Sequence, residues 1–171
     1  MYDPKSIANF FLEAAAREGQ SIDPMKLQKL VYYAHGWFAG HFGKPLINEN
    51  VEAWQYGPVI PSLYHEFKPY GAGAIRSKAK GFVNGSFQDV PLPTDPGLLH
   101  FLNNVWNSYG PYTGIALSEM THAAGSPWDI TWRNSEGMHG ADIPFPTIQE
   151  HFGEAVRRIN PAQAAQGGTA W

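Results

Sequence analysis

The sequence contains no cysteine among its 171 residues, and its charged residues amount to only 16%. The first absence excludes disulfides, cysteine nucleophiles and cysteine-ligated zinc sites, and it fits a reducing compartment. The charged fraction lies below the usual ~25%, and the formal net charge is −3. Because affinity for phosphates comes mainly from lysine and arginine, direct nucleic-acid binding is disfavoured.

Long apolar runs and a secretory signal are also missing. No stretch approaches the roughly 18 consecutive apolar residues that a membrane-spanning helix needs. The N-terminus, from Met1 to Lys5, has no basic region followed by an apolar one. The sequence therefore predicts no contact with a membrane and a cytoplasmic location.

What the chain does contain is a globular composition, with 43% hydrophobic residues. A length of roughly 100–200 residues per domain favours one domain. The periodic patterns end near residue 160, so we expect a domain over residues 1–160. Residues 161–171 are rich in alanine, glutamine and glycine and are expected to fray.

Three Asp-Pro pairs mark the starts of helices. Aspartate caps the free N–H groups of a first turn, and proline at the first helical position sacrifices no hydrogen bond. With the apolar periodicity that follows, they predict helices over residues 4–17, 24–42 and 96–109. The second helix has a wide apolar face, which is typical of a central helix.

The remaining elements are shorter. Residues 51–56 alternate as a short strand that a turn at Gly57-Pro58 would end, and Asn84-Gly85 is a strong hairpin signal. Further helices are predicted to begin at residues 61 and 113, a short turn to open at Ser126-Pro127, and a last helix to cover 147–159, whereas 133–146 has the composition of a loop. These patterns predict a mainly α, compact single-domain helical bundle with a small β-hairpin insert.

The sequence contains no assembled catalytic or metal-binding motif. His35 and His41 are six residues apart, not at the i, i+4 spacing that brings two ligands onto one helix face. No nucleophile elbow and no phosphate-binding glycine loop occurs. Four polar residues could form an acid–base site if the fold gathered them, or could simply lie on the surface. They are Glu52, His65, Glu66 and Glu119.

Aromatic residues make up 14% of the chain, and tryptophan and tyrosine are common both in cores and in interface hot spots. The tryptophans within apolar patterns are predicted to be core residues: Trp37, Trp54, Trp106 and Trp128. Tyr32, Tyr56 and Tyr64 have polar neighbours and are better interface candidates. The basic cluster of Arg76, Lys78 and Lys80 beside Phe82 and Phe87 could contact phosphate, but a charge-protected hairpin edge explains it as well.

Several blocks of the sequence together resemble the signature of the Panacea-domain family of SocA-like antitoxins. They follow the family's order and span most of the chain. The central block, over residues 51–61, is long and unusual in composition, which makes a chance match improbable. The blocks are 25–37 (MKLQKLVYYAHGW), 44–47 (KPLI), 51–61 (VEAWQYGPVIP), 63–67 (LYHEF), 117–122 (LSEMTH) and 126–128 (SPW).

The resemblance implies a mostly helical protein that neutralises a toxin encoded beside it by direct binding. From the absence of the motifs above, we expect no cofactor and no metal. One relative delivers its toxin to the ClpXP protease, so a protease of this type is a second implied partner. The stoichiometry, including a homo-oligomer, stays open. The alternatives are a small hydrolase or transferase and a phage-encoded regulator of a host protein. The toxin-binding candidates are Tyr32, Trp54, Gln55, Tyr56, Gly57, Pro58 and Tyr64.

Overall fold

A computed structural model describes residues 1–159 and Pro161 and confirms a mainly helical architecture. Each Asp-Pro pair caps a helix as predicted: the carboxylates of Asp3, Asp23 and Asp95 accept hydrogen bonds of 2.7–2.8 Å from backbone N–H groups of the first turn. The helices are α1 (Pro4–Arg17), α2 (Pro24–Phe42), α3 (Pro61–Phe67), α4 (Pro96–Tyr109), α5 (Gly114–Thr121), α6 (Pro127–Asn134) and α7 (Phe145–Ile159), with a 3-10 turn at Lys68–Tyr70.

Helix α2 forms the centre of the molecule. It packs against α1, α3, α4, α5 and α7, which is the arrangement that its wide apolar face predicted. Leu27, Leu30, Val31 and Ala34 are fully buried along it. At its C-terminal end, Gly43 adopts a left-handed conformation and ends the helix.

A three-stranded antiparallel sheet lies beside the helices, in the order β2-β1-β5. Its strands are β1 (Val51–Trp54), β2 (Gly57–Val59) and β5 (Ala141–Ile143). The prediction of a turn at Gly57-Pro58 is wrong, because these residues pair with Trp54 and Ala53 inside β2. The turn instead consists of Gln55 and Tyr56. The prediction of an irregular segment over 133–146 missed β5, which pairs with β1.

The predicted hairpin is confirmed as strands β3 (Lys80–Val83) and β4 (Ser86–Asp89) around Asn84-Gly85. Both turn residues have positive φ angles, 50° and 82°, as a two-residue hairpin turn requires. The amide group of the fully buried Asn9 holds the base of the hairpin to α1. It accepts from the N–H of Ala79 and donates to the carbonyls of Ala79 and Val90.

No helix within residues 1–159 is long and apolar enough to cross a membrane. Helix α7 begins at Phe145, two residues before the predicted start, and ends at Ile159 as predicted. Apart from Pro161, the segment predicted to fray lies outside the described residues.

Candidate functional site

The turn between β1 and β2 places several of the predicted binding residues around one cleft. We call it the β1–β2 cleft; its volume is about 600 Å³, within the usual range for ligand sites. Four of the seven candidates line it: Trp54, Gln55, Tyr56 and Tyr64. The other lining residues are Pro24, Met25, Gln28, Lys29, Val59, Lys68, Gly71 and His139.

One wall of the cleft is aromatic. The ring of Trp54 meets the edge of Tyr64 at a centroid distance of 4.6 Å and lies 4.2 Å from the ring of His139. The indole N–H of Trp54 donates a 2.7 Å hydrogen bond to Glu52, which fixes the ring. Tyr56 projects from the turn with 63% of its surface exposed, and Tyr64 is 40% exposed. The rings thus present apolar area to solvent.

The turn is held from behind by hydrogen bonds to its main chain. The hydroxyl of Ser118 on α5 donates to the carbonyl of Tyr56 at 2.7 Å. The indole N–H of Trp128 on α6 donates to the carbonyl of Trp54 at 2.8 Å. Because these bonds come from two packed helices, they fix the main chain from which the exposed side chains project.

Gly57 permits a close approach behind the turn. Its φ of +102° is strained for any residue with a side chain. A Cβ atom there would lie 2.6 Å from the hydroxyl of Thr121 and 2.9 Å from Nζ of Lys29. The position therefore requires glycine, and Lys29 and Thr121 occupy the space beside it.

Lys29 is one of the residues that line the cleft, although only 2% of its surface is exposed. Its ammonium group donates a 3.0 Å hydrogen bond to the carbonyl of Pro58. Burial lowers the pKa of Lys29 to about 7. Burial also lowers the pKa of His122, and the nearby charge of Lys29 lowers it further. A buried cation in a cleft is the type of group whose altered pKa accompanies binding or catalysis.

The remaining three candidates do not reach the cleft surface. Gly57 and Pro58 are buried in β2 and support it. Placing Tyr32 with the surface residues was wrong: it is 2% exposed and packs edge-on against Tyr33 and Phe152. Its polar neighbours in sequence lie on other sides of α2, so local sequence gave a misleading signal.

Sequence reasoning missed Lys29, Gln28, Met25 and His139. For Lys29 a signal existed, since a lysine between Leu27 and Leu30 stands within the apolar face of α2. The amide of Gln28 makes hydrogen bonds of 2.9 and 3.0 Å with the N–H and carbonyl of Ile60, the residue after β2, and thereby ties the end of this strand to α2. His139 comes from the segment before β5, which the sequence did not connect with β1.

The predicted core tryptophans divide into two groups. Trp106 and Trp128 are buried, as predicted. Trp54 is half-buried because one side of it faces the cleft, and Trp37 is half-buried with its N–H donating to the hydroxyl of Tyr109 at 2.7 Å. Trp37 packs against the core, as predicted, although it is only partly buried, whereas Trp54 lies outside the core cluster and its prediction as a core residue is wrong.

The side chains of the hypothetical acid–base site have separate partners. Glu66 forms a 2.7 Å ion pair with Lys5 and accepts from the N–H of Lys80. Glu52 is bonded to Trp54, whereas His65 and Glu119 are exposed. Within the described residues, no three histidine, aspartate or glutamate side chains are placed to hold a metal ion. The arrangement favours recognition by apolar contact and charge.

Comparison with known proteins agrees with the resemblance seen in the sequence. The family model described as "Antitoxin SocA-like, Panacea domain" matches residues 27–129, which include most of the residues that line the β1–β2 cleft but not Pro24, Met25 and His139. The chain is 35% identical over 155 residues to Antitoxin SocA of Caulobacter vibrioides (strain NA1000 / CB15N), covering 88% of this chain and 82% of that relative. No solved structure gives a significant match. The chain belongs to the family of SocA-like antitoxins with a Panacea domain.

Proposed function

We propose that this protein is an antitoxin that neutralises the toxin encoded beside it by direct binding through the β1–β2 cleft. The observation that carries the role is the 35% identity to an antitoxin over most of both chains. The observation that favours this surface is the cluster of exposed aromatic side chains on a turn fixed by Ser118 and Trp128.

The chemistry of the cleft suits a protein partner. Interface hot spots are enriched in tryptophan and tyrosine, which bury much area at a small cost in side-chain entropy. Trp54, Tyr56 and Tyr64 offer such area, and the hydrogen bonds behind the turn organise it before binding. The separate partners of Glu52 and Glu66 give no support to a hydrolase or transferase, and we propose a non-enzymatic role.

The proposal is tested by expressing the adjacent gene alone and together with this chain, followed by co-purification. We expect toxicity that the wild-type chain relieves and a stable complex. Tyr56→Ala should weaken the complex by about 30-fold or more, the size of a hot-spot loss, and should abolish rescue. Tyr112→Ala is the matched control, because Tyr112 is also exposed, at 46%, but lies outside the cleft.

A harmless adjacent product that does not bind would contradict the antitoxin role. Rescue by Tyr56→Ala equal to that by Tyr112→Ala would leave the antitoxin role intact but would remove the β1–β2 cleft from it.

Delivery of the bound toxin to a ClpXP-type protease is a second step that the proposal includes. The half-life of the toxin in growing cells measures it directly. A half-life that shortens when this chain is expressed, and lengthens again when the protease is absent, supports delivery. A stable toxin that is nevertheless harmless indicates neutralisation by occlusion alone.

A further inference from the structure

The buried ammonium group of Lys29 has no counter-ion among the residues that the structure describes. None of the ion pairs formed among residues 1–159 includes it. Its hydrogen bond to the carbonyl of Pro58 uses one of three N–H groups. Buried charges are usually paired, because leaving water without a partner is costly. Lys29 is therefore a buried charge at the cleft that the described residues leave without a counter-ion.

A second buried lysine on the same helix, Lys26, has neighbours that compensate its charge. Lys26 donates a 2.6 Å hydrogen bond to the carbonyl of Gly110, and its ammonium group lies 5.5 Å from the ring centre of Trp106. The charge of Asp23 also raises its pKa, against the effect of burial. Lys29 has no aspartate in this role, and burial alone determines its shift.

The cleft around Lys29 is positive in its lining. Two lysines line it, Lys29 and Lys68, and no aspartate or glutamate does. Its volume of about 600 Å³ accommodates a side chain together with part of the segment that carries it. The occupant that complements both the charge and the aromatic wall is an acidic side chain with apolar neighbours.

We propose that the β1–β2 cleft is a binding site for an acidic side chain of a protein partner, whose carboxylate pairs with the ammonium group of Lys29 while the flanking residues pack on Trp54 and Tyr64. A charge-assisted bond of this kind gives specificity, because a neutral partner would leave the lysine buried and unpaired. That the partner is the toxin rests on the proposed function, whereas the acidic-side-chain site does not.

Phage panning tests the site without the toxin. A random 12-residue library, displayed without a free C-terminus, is selected against the full chain, against Lys29→Met and against the control Lys26→Met. We expect peptides from the wild-type chain and from Lys26→Met to be enriched in aspartate or glutamate, and those from Lys29→Met to lack this enrichment. The thermal midpoint of each variant checks its fold.

The strongest selected peptide then provides a measurement that does not depend on any variant folding. Replacing its acidic residue by the matching amide should weaken binding to the wild-type chain by at least tenfold. The same replacement should have little effect on binding to Lys29→Met if that variant folds. Any one of three results would overturn the proposal. The acidic enrichment could persist with Lys29→Met, or the acidic and amide peptides could bind the wild type equally. Alternatively, peptides could be enriched only from a second library with free C-termini, in which the terminal carboxylate and not a side chain would be bound. Failure of growth rescue with intact peptide selection would instead count against the toxin as partner.

Discussion

Lys29 couples the stability of this fold to pH. Its pKa is about 7 in the folded chain, below its ordinary value of about 10.4, because burial penalises the charged form. Between pH 7 and 10 the unfolded chain therefore binds a proton that the folded chain does not. The free energy of unfolding should rise with pH in this window, by up to about 1.4 kcal/mol per pH unit from this group.

Urea unfolding of the wild type and of Lys29→Met at pH values from 6 to 9.5 measures this effect. Groups that Lys29 does not influence cancel in the difference between their free energies of unfolding; His122 is the exception, because the charge of Lys29 lowers its pKa. We expect the wild type to gain stability relative to Lys29→Met as the pH rises above 7, and little change below it. A difference that stays constant over the whole range would contradict the burial of an uncompensated ammonium group.

Gly57 is the residue whose backbone permits the turn. Gly57→Ala introduces a Cβ atom at a φ of +102°, against Thr121 and Lys29. We expect a loss of about 1–3 kcal/mol, the usual cost of a strained backbone residue. Thermal unfolding measures it, and Gly85→Ala, with φ +82° and nothing within 4 Å of the new Cβ, separates backbone strain from the clash. A larger loss at Gly57 than at Gly85 is the expected result.

At the level of elements, α2 and α7 approach each other closely because two glycines face Phe152. A Cβ atom on Gly36 would overlap the ring of Phe152, and one on Gly40 would lie 2.7 Å from its carbonyl oxygen. Gly40→Ala should separate the helices and destabilise the fold by about 1–3 kcal/mol through overpacking. Chemical denaturation measures the loss.

The matched control for that prediction is Gly153→Ala on α7. There a Cβ atom would meet nothing closer than the guanidinium group of Arg157, at 3.5 Å. Since alanine favours a helix over glycine by about 1 kcal/mol, this variant should be as stable as the wild type or more so. Equal losses in both variants would refute the close helix packing.

The elements differ in how well the sequence predicts them. Helices α1, α2 and α4 follow from local chemistry, because each combines an aspartate cap, a proline and a regular apolar face. Strand β5 does not, because its three residues become a strand only by pairing with β1 across about 90 residues of chain. The same limit applies to the site: the turn aromatics were predicted, but their meeting with Lys29 and His139 depends on long-range packing.

At the scale of the whole molecule, the described core is complete between Ile7 and Phe152. The core residues near both ends of that range pack into one cluster with the buried side of α2. The predicted domain over residues 1–160 contains all of these core residues. The β1–β2 cleft is also formed entirely within that range, between Pro24 and His139.

We accordingly propose that the chain shortened to residues 1–160 is a complete folding and binding unit. Deleting residues 161–171 should leave the thermal midpoint unchanged and should preserve both the complex with the toxin and growth rescue. If the same deletion lengthens the half-life of the toxin while the complex still forms, the segment serves delivery to the protease and not recognition. A lowered thermal midpoint would show that residues beyond 160 contribute to the stability of the fold. Loss of the complex at an unchanged midpoint would show that residues beyond the β1–β2 cleft take part in binding the toxin.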